Sequence, residues 1–419
     1  MNEKQRRVLV IGGGASGMAA AYFAAKGGAA VTLFEKNEKL GKKLYITGKG
    51  RCNVTNAADA DGFMSQVVSN ARFLYSAVHA FDSRAVMQWF EDLGCPLKTE
   101  RGSRVFPVSD HASDIIRVLE RALRNAGVTI RLHTPVGGLL FNEGKTAGVQ
   151  LADGSDVNGD AVILATGGLS YPLTGSTGDG YRFAETAGHT IRPMRPALVP
   201  LVLEETYPAE IEGLSLRNIR LTIPYGRKKS FSEFGELLFT KDGISGPLAL
   251  RASSVIGAAL EEGPLQGVID LKPALSAEQL DGRIRNLFAE SPNRSFKNTV
   301  RPLFPASLCP VIVRLSSVPA DKPVHDVTKE ERQRFLRFIK SFPLTIIGTH
   351  AFQEAVITQG GVDVKEVFPA TMESRLCPGL YLTGEILDLD AFTGGFNLQI
   401  AWSTGVLAGR HAAHGGSVV

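Results

Sequence analysis

Three glycines, Gly12, Gly14 and Gly17, sit in the segment VLVIGGGASGMAAAYFAAKGGAAVTLFEK, residues 8–36, and constrain the fold of this chain more than any other feature. An apolar run from Val8 to Ile11 breaks into the glycines and continues as an Ala-rich, helix-forming stretch. A second apolar run, Val31 to Phe34, ends in Glu35, 18 residues after Gly17. The spacing predicts strand, turn, helix and strand around a dinucleotide. A tight turn is needed at the first glycine, close backbone approach to a pyrophosphate at the second, and helix–strand contact at the third. Ala15 and Ser16 open the helix, whose N-terminal N–H groups and positive partial charge face the phosphates. Glu35 can accept hydrogen bonds from both ribose hydroxyls and repels a 2′-phosphate, which points to an unphosphorylated adenosine such as that of FAD or NAD.

Length and composition fit an enzyme of two or three domains. The chain has 419 residues, 44% hydrophobic and 21% charged, with a formal net charge of +4. That mild basic excess permits anionic partners without demanding them. Val8 to Ala25 is free of charge and follows Lys4, Arg6 and Arg7, but the glycines and Ser16 that interrupt it belong to the nucleotide turn, so it is not expected to be a signal peptide or membrane anchor. The four cysteines, Cys52, Cys95, Cys309 and Cys377, are widely spaced and form no CxxC, so neither a zinc site nor a disulfide framework is expected, and a cytoplasmic setting is. The scattered histidines and the missing GxSxG elbow leave metal and acyl-transfer chemistry without support.

Along the chain, a glycine- and lysine-rich connection at 37–58 precedes a helix-rich stretch near 70–93 and an amphipathic helix at 111–126. Short strands follow at 128–132, 136–141 and 146–151. Ala161 to Ala165 reads as a buried strand running into Thr166, Gly167 and Gly168. Proline-punctuated β-rich runs begin near 191, charged helical stretches occupy 275–340, and from about Leu344 the vocabulary of the first domain returns. These shifts predict an α/β chain with a discontinuous, Rossmann-like FAD-binding domain at 1–194 and 341–419. Into it are inserted a β-rich, barrel-like domain at 195–274, with return strands near 310–340, and a helical domain at 275–340.

Three further clusters carry candidate chemistry. In ITGKGRCNVTN, residues 46–56, Gly50, Arg51, Cys52 and Asn53 combine a flexible backbone, a guanidinium, a thiol and an amide. This loop can face phosphate or a flavin pyrimidine ring, or be an exposed basic loop, and Lys42, Lys43, Lys49 and Arg51 can equally hold an anionic substrate. Cys52 is the candidate catalytic acid, with Arg51 beside it to lower its pKa, although buried structural cysteines are commoner. The stretch SYPLTGSTGDG extends the ATGG turn. Near the C-terminus, Thr383-Gly384-Glu385, Asp388 and TGGFN, with Gly395, Phe396 and Asn397, suggest an acid for a ribityl hydroxyl and a helix N-terminus toward the flavin N1–C2=O edge, unless they form only a routine strand–helix turn.

Together, GGGASG…FEK, GKKLYITGKGRCNVTN, ATGGLSYPLTGSTGDG and TGEILDLDAFTGGFNLQIAWSTG resemble the BaiN/RdsA family of NAD(P)/FAD-dependent oxidoreductases, the YhiN-like flavoproteins, from residue 8 to about 410. The resemblance implies that Gly12, Gly14, Gly17, Glu35 and Lys36 hold the ADP half of FAD. It implies further that Arg51, Cys52, Asn53, Thr166, Gly167, Glu385, Asp388, Gly395 and Asn397 surround the ribityl and flavin. Lys43, Val136, Gly168 and Phe396 complete the expected cofactor set, and Cys52 and Arg51 the catalytic one. Members of the family are described as reducing a uridine of large-subunit ribosomal RNA to dihydrouridine, acting in bile-acid dehydroxylation, or oxidising aminoacetone. The expectation is an enzyme that reduces a polarised C=C bond with FAD, fed by NADH or NADPH. A small molecule or ribosomal RNA is its substrate, with no membrane and no stable protein partner, and it acts as a monomer or homodimer. The competing readings are a small-molecule flavin oxidase or reductase, either an oxygen-using amine or ketone oxidase (aminoacetone oxidase-like) or a bile-acid/steroid reductase-like enzyme, and a non-enzymatic, flavin-containing RNA chaperone or assembly factor.

Overall fold

A computed structural model describes residues 5–415. They divide into two units, the described residues up to 196 together with those from 352 onward, and residues 197–351. In the first unit a five-stranded parallel sheet runs in the order Leu380–Leu382, Ala161–Leu164, β1 (Arg7–Ile11), β2 (Ala30–Phe34), Thr129–Arg131. The inner strands are apolar runs rather than alternating ones because both faces are covered: Val8, Val10 and Ala161 to Leu164 have no exposed surface. A three-stranded antiparallel meander, Val136–Asn142, Lys145–Leu151 and Asp156–Asn158, separates β2 and its neighbours from Ala161–Leu164 in chain order.

Helix α1 (Ala15–Lys26) packs along the C-terminal helix Phe396–His414. Alanines on one helix and glycines on the other let the backbones nearly touch; a methyl at Gly405 or Gly409 would lie 2.5 Å from the Ser16 carbonyl oxygen or 2.3 Å from that of Ala20. The C-terminal helix is buried over most of its length, so its polar side chains need partners. Trp402 Nε1 donates to the Val54 carbonyl at 2.9 Å, and Gln399 Nε2 to that of Phe81 at 2.9 Å while its Oε1 accepts from the Thr55 hydroxyl. Those bonds fix the segment 52–56 against the last helix.

The second unit is a closed antiparallel barrel of six strands, in the order Leu201–Leu203, Gly243–Ser245, Lys229–Phe239, Ser215–Tyr225, Leu265–Asp270, Phe342–Thr349. Leu201, Leu221, Ile223, Ile269, Leu344 and Ile346 are fully buried in it. Helices Ala277–Glu290, Cys309–Leu315 and Lys329–Lys340 come between its last two strands, two of them opened by capping boxes at Ser276 and Thr328.

Two boundaries differ from the sequence reading. The stretch 310–340 carries helix, not return strands, and the strand that closes the barrel is Phe342–Thr349. Leu344 therefore belongs to the barrel wall, and the first unit resumes at Phe352 rather than at 341. An apolar strand buried in a barrel and one buried in a parallel sheet have the same composition, and only the pairing partner separates them.

Candidate cofactor site

The glycine turn follows from close backbone approach. Gly12 has φ +106°, and a Cβ there would lie 2.4 Å from the Ala165 carbonyl oxygen. Gly14 caps α1 without any side-chain hydrogen bond, and the first turn of the helix holds no acid. Among the described residues, no heavy atom beyond Gly14 and its chain neighbours lies within 4 Å of where a Gly14 Cβ would stand. Unpaired helix N–H groups beside open space are what a pyrophosphate requires. Ser16 and Gly17 are buried behind the turn, and Ala15 is half-buried.

Glu35 is buried at the end of β2 and accepts from the Gly13 N–H at 2.8 Å on Oε2, and from the Asn37 N–H and Nδ2 at 2.8 and 2.7 Å on Oε1. A carboxylate offers about four lone-pair directions, so one remains, on Oε2, for a ribose hydroxyl rather than the two expected. Lys36 reaches across to Thr177 Oγ1 at 2.5 Å and Asp179 at 2.7 Å, and Asn37 Nδ2 donates to the Thr174 carbonyl. The TGSTGDG loop is thereby docked on the end of β2, a contact that residues 137 to 143 apart gave no local sign of.

A second cluster joins four distant segments. Lys43, in α2 (Lys42–Ile46), donates to Ser170 Oγ and to Glu385 Oε2, each at 2.5 Å. Ser170 donates to Glu385 Oε1, which also takes the Thr358 N–H at 2.9 Å, and Thr358 Oγ1 accepts from the N–H groups of Leu169 and Ser170. Gly168 is closely enclosed by Thr358 and Glu385. Glu385 is thus held at fixed orientation with its charge opposed by Lys43, and the cluster unites α2, the ATGG turn and TGE. Ser170 opens the SYPLTGSTGDG stretch that the sequence singles out, whereas Thr358 carries no motif and has no sign in the sequence.

The third cluster is the junction of RCNVTN with TGGFN. Gly395 lies against the Thr55 main chain, and Asn56 Nδ2 donates to the Gly394 carbonyl at 2.9 Å. Gly395 begins the 19-residue C-terminal helix with no side-chain cap and no acid in the first turn, leaving a second set of free N–H groups. Asn53 Oδ1 and Thr166 Oγ1 are buried without a hydrogen-bond partner among the described residues. Two uncapped helix N-termini, open space at Gly14 and an orphaned amide oxygen in the RCN segment fit a dinucleotide flavin, whose pyrophosphate the α1 N-terminus would hold and whose ring system residues 53 and 395 would hold.

Several expected site residues have protein partners of their own. Arg51 pairs with Glu100 and Asp110 and lies over the Phe106 ring at 4.1 Å. Lys98 joins the same group through Asp110 at 2.6 Å. Cys52 has no exposed surface, and burial pushes its thiol up to about 12, the opposite of activation by Arg51. Asn397 spends its amide on the Ala391 peptide, donating to the carbonyl at 2.6 Å and accepting from the N–H at 2.9 Å. Phe396 is buried against Phe63, with ring centroids 5.9 Å apart. Asp388 turns to Asn70, which donates to it at 2.9 Å, and burial raises its pKa. Val136 opens the meander, half-buried, and Gly50 and Gly167 are half-buried in their loops.

A direct test of the thiol follows. Cys52→Ala is expected to leave flavin binding and turnover unchanged while costing about 1 kcal/mol of stability for a methyl-sized void. Calorimetry and stopped-flow flavin reduction measure the two. A tenfold loss of turnover with unchanged stability returns the thiol to the chemistry.

Residues 6–411 match the family model described as HI0933-like protein Rossmann domain. The chain belongs to the HI0933-like family. It is 36% identical over 411 residues to a 3-dehydro-bile acid delta(4,6)-reductase of Clostridium scindens, covering 97% of this chain and 99% of the relative. It is 31% identical over 397 residues to the ribosomal RNA dihydrouridine synthase of Escherichia coli, covering 94% and 95%. Its fold is similar to that of the 3-ketosteroid-delta4-(5alpha)-dehydrogenase of Rhodococcus jostii, with a TM-score of 0.52 at 14% identity, covering 99% of this chain and 98% of the other. This HI0933-like chain is an FAD-dependent oxidoreductase. Among the described residues no helix is long and apolar enough to cross a membrane.

Proposed function

We propose that this chain is an NAD(P)H-driven reductase of a polarised C=C bond, and that its substrate is a uridine of large-subunit ribosomal RNA, reduced to dihydrouridine. The observation that carries the reaction class is the similarity, over nearly the whole chain, to relatives named for reduction of a conjugated ring, one a steroid-like acid and one a pyrimidine. The net charge of +4 favours the polyanion. Bound FAD supplies hydride acceptance from a nicotinamide and hydride donation to an electrophilic carbon. The chain's own part is positional. The α1 N-terminus would hold the pyrophosphate, Glu35 a ribose hydroxyl, and the acid at 385, held in place by Lys43, Ser170 and Thr358, a ribityl hydroxyl. The free N–H groups at residues 395–397 stabilise negative charge on the pyrimidine side of the ring.

The test is mass spectrometry of ribosomal RNA from cells with and without the gene. Loss of one dihydrouridine, restored by the intact gene and not by a flavin-free variant, supports the reading; an unchanged dihydrouridine content ends it. The higher identity to the bile-acid reductase favours a second reading, a small conjugated ketone as substrate. Rapid anaerobic reoxidation of the reduced protein by such a ketone, with no change in ribosomal RNA, selects it.

A further inference from the structure

Asp390 has no exposed surface, and the fold only half accounts for it. Its main-chain carbonyl accepts from the Val68 N–H at 2.8 Å and, more weakly, from that of Ser69 at 3.4 Å. Its Oδ2 accepts from Gln359 Nε2 at 3.1 Å, and the Ser69 side chain also bonds the carboxyl. Among the described residues its Oδ1 has no hydrogen-bond partner. An unfilled acceptor on a buried carboxylate is costly, and such groups call for a functional account. The residue directly precedes Ala391, whose peptide is pinned by Asn397, so the carboxyl sits at the root of the turn that begins the C-terminal helix.

We propose that Asp390 is a positioning residue that takes up a proton when the bound flavin is reduced and releases it on reoxidation. The proposal rests on the placement of FAD at residues 53 and 395. Hydride from a reduced nicotinamide adds two electrons and one proton to the ring and leaves one negative charge in the site. The Asp390 carboxylate then binds one proton from solvent, so the site gains two electrons and two protons without net charge. Passing hydride to an electrophilic carbon and a proton to its neighbour returns both. The surroundings suit this. Burial first, and Asp388 as well, push the Asp390 carboxyl up to about 6, so it is mainly ionised at neutral pH but needs little further push to protonate. Gln359 and Ser69, from the two segments packed on it, are neutral. Asp388 on its own loop faces Asn70, Asp363 and Arg192, and Arg192 is itself paired with Asp363. An additional negative charge at the cofactor therefore meets a carboxyl already poised to neutralise.

The experiment is a redox titration of the FAD-loaded protein with mediator dyes between pH 6 and 8.5, paired with infrared difference spectra on electrochemical reduction. One additional proton taken up makes the two-electron potential steeper by a factor of ten in equilibrium constant per pH unit, about 30 mV. Wild type is expected to show that steeper slope just above pH 6 and Asp390→Asn to lose it. On reduction, wild type and Asp388→Asn are expected to gain a protonated-carboxyl C=O band that Asp390→Asn lacks. The infrared measurement on wild type stands even if the Asn variant does not fold. Equal slopes, or no such band with flavin bound and reducible, overturn the proposal and leave the FAD site intact. Failure of the wild-type protein to bind FAD overturns both.

Discussion

Gly14→Ala is expected to yield a folded protein that holds its flavin at least tenfold more weakly, and Gly17→Ala a protein destabilised by about 2 kcal/mol. Gly14 has an extended backbone that any residue adopts, and its Cβ would enter open space. The methyl then stands where a phosphate oxygen must approach the α1 amides, weakening FAD at least tenfold, about 1.4 kcal/mol, with the melting temperature of the flavin-free form unchanged. At Gly17 the added carbon would lie 1.9 Å from the Gly12 carbonyl oxygen, a main-chain atom that cannot turn aside. That overpacking costs about 3 kcal/mol, the upper end for an added methyl, against a helix-propensity gain of about 1 kcal/mol. Absorbance at the flavin band relative to protein, and thermal melts of the stripped proteins, separate the two. A Gly14→Ala protein that purifies fully yellow would place the pyrophosphate elsewhere.

The second large effect is a pH-dependent stability held by one carboxyl. The folded state raises Asp390 from 3.8 to about 6, so the native chain binds this proton more tightly than the unfolded chain does. Stability from this group is therefore complete below pH 4, falls as pH rises to about 6, and stays reduced above. The shift corresponds to about 3 kcal/mol. Asp390→Asn cannot ionise, so its stability relative to wild type is expected to grow by that amount between pH 4 and pH 8. Denaturant melts of both proteins across that range measure it, and a constant difference would place Asp390 in a wetter setting than the structure gives it. An acid kept where burial opposes its charge fits a working role.

Legibility in the sequence tracked chain separation. The βαβ turn could be read because its glycines, helix and Glu35 are neighbours whose spacing is fixed by the geometry of one unit. The ATGG strand and the C-terminal helix were equally visible as local patterns. The ion pairs of Arg51 have no local sign, because Glu100 and Asp110 lie 49 and 59 residues away. Lys43 was placed in the cofactor set, yet its partners Ser170 and Glu385 are 127 and 342 residues distant, so the cluster that gives it meaning had no local trace. Cys52 invited a chemical role from its arginine neighbour, and three-dimensional burial reversed the sign of the argument. The barrel boundary failed for a related reason: pairing, not composition, assigns an apolar strand to its sheet.

The near contact between α1 and the helix Phe396–His414 has a consequence for biosynthesis. Roughly 370 residues, the whole barrel among them, must be translated between these two helices. At common elongation rates the ribosome needs about 20–70 s for that span. Through this interval the alanine face of α1 has no lid, and the ring side of the cradle does not yet exist. Prosthetic-group capture is thus a late event in the life of each new polypeptide, and a nascent chain stalled before residue 396 should emerge colourless.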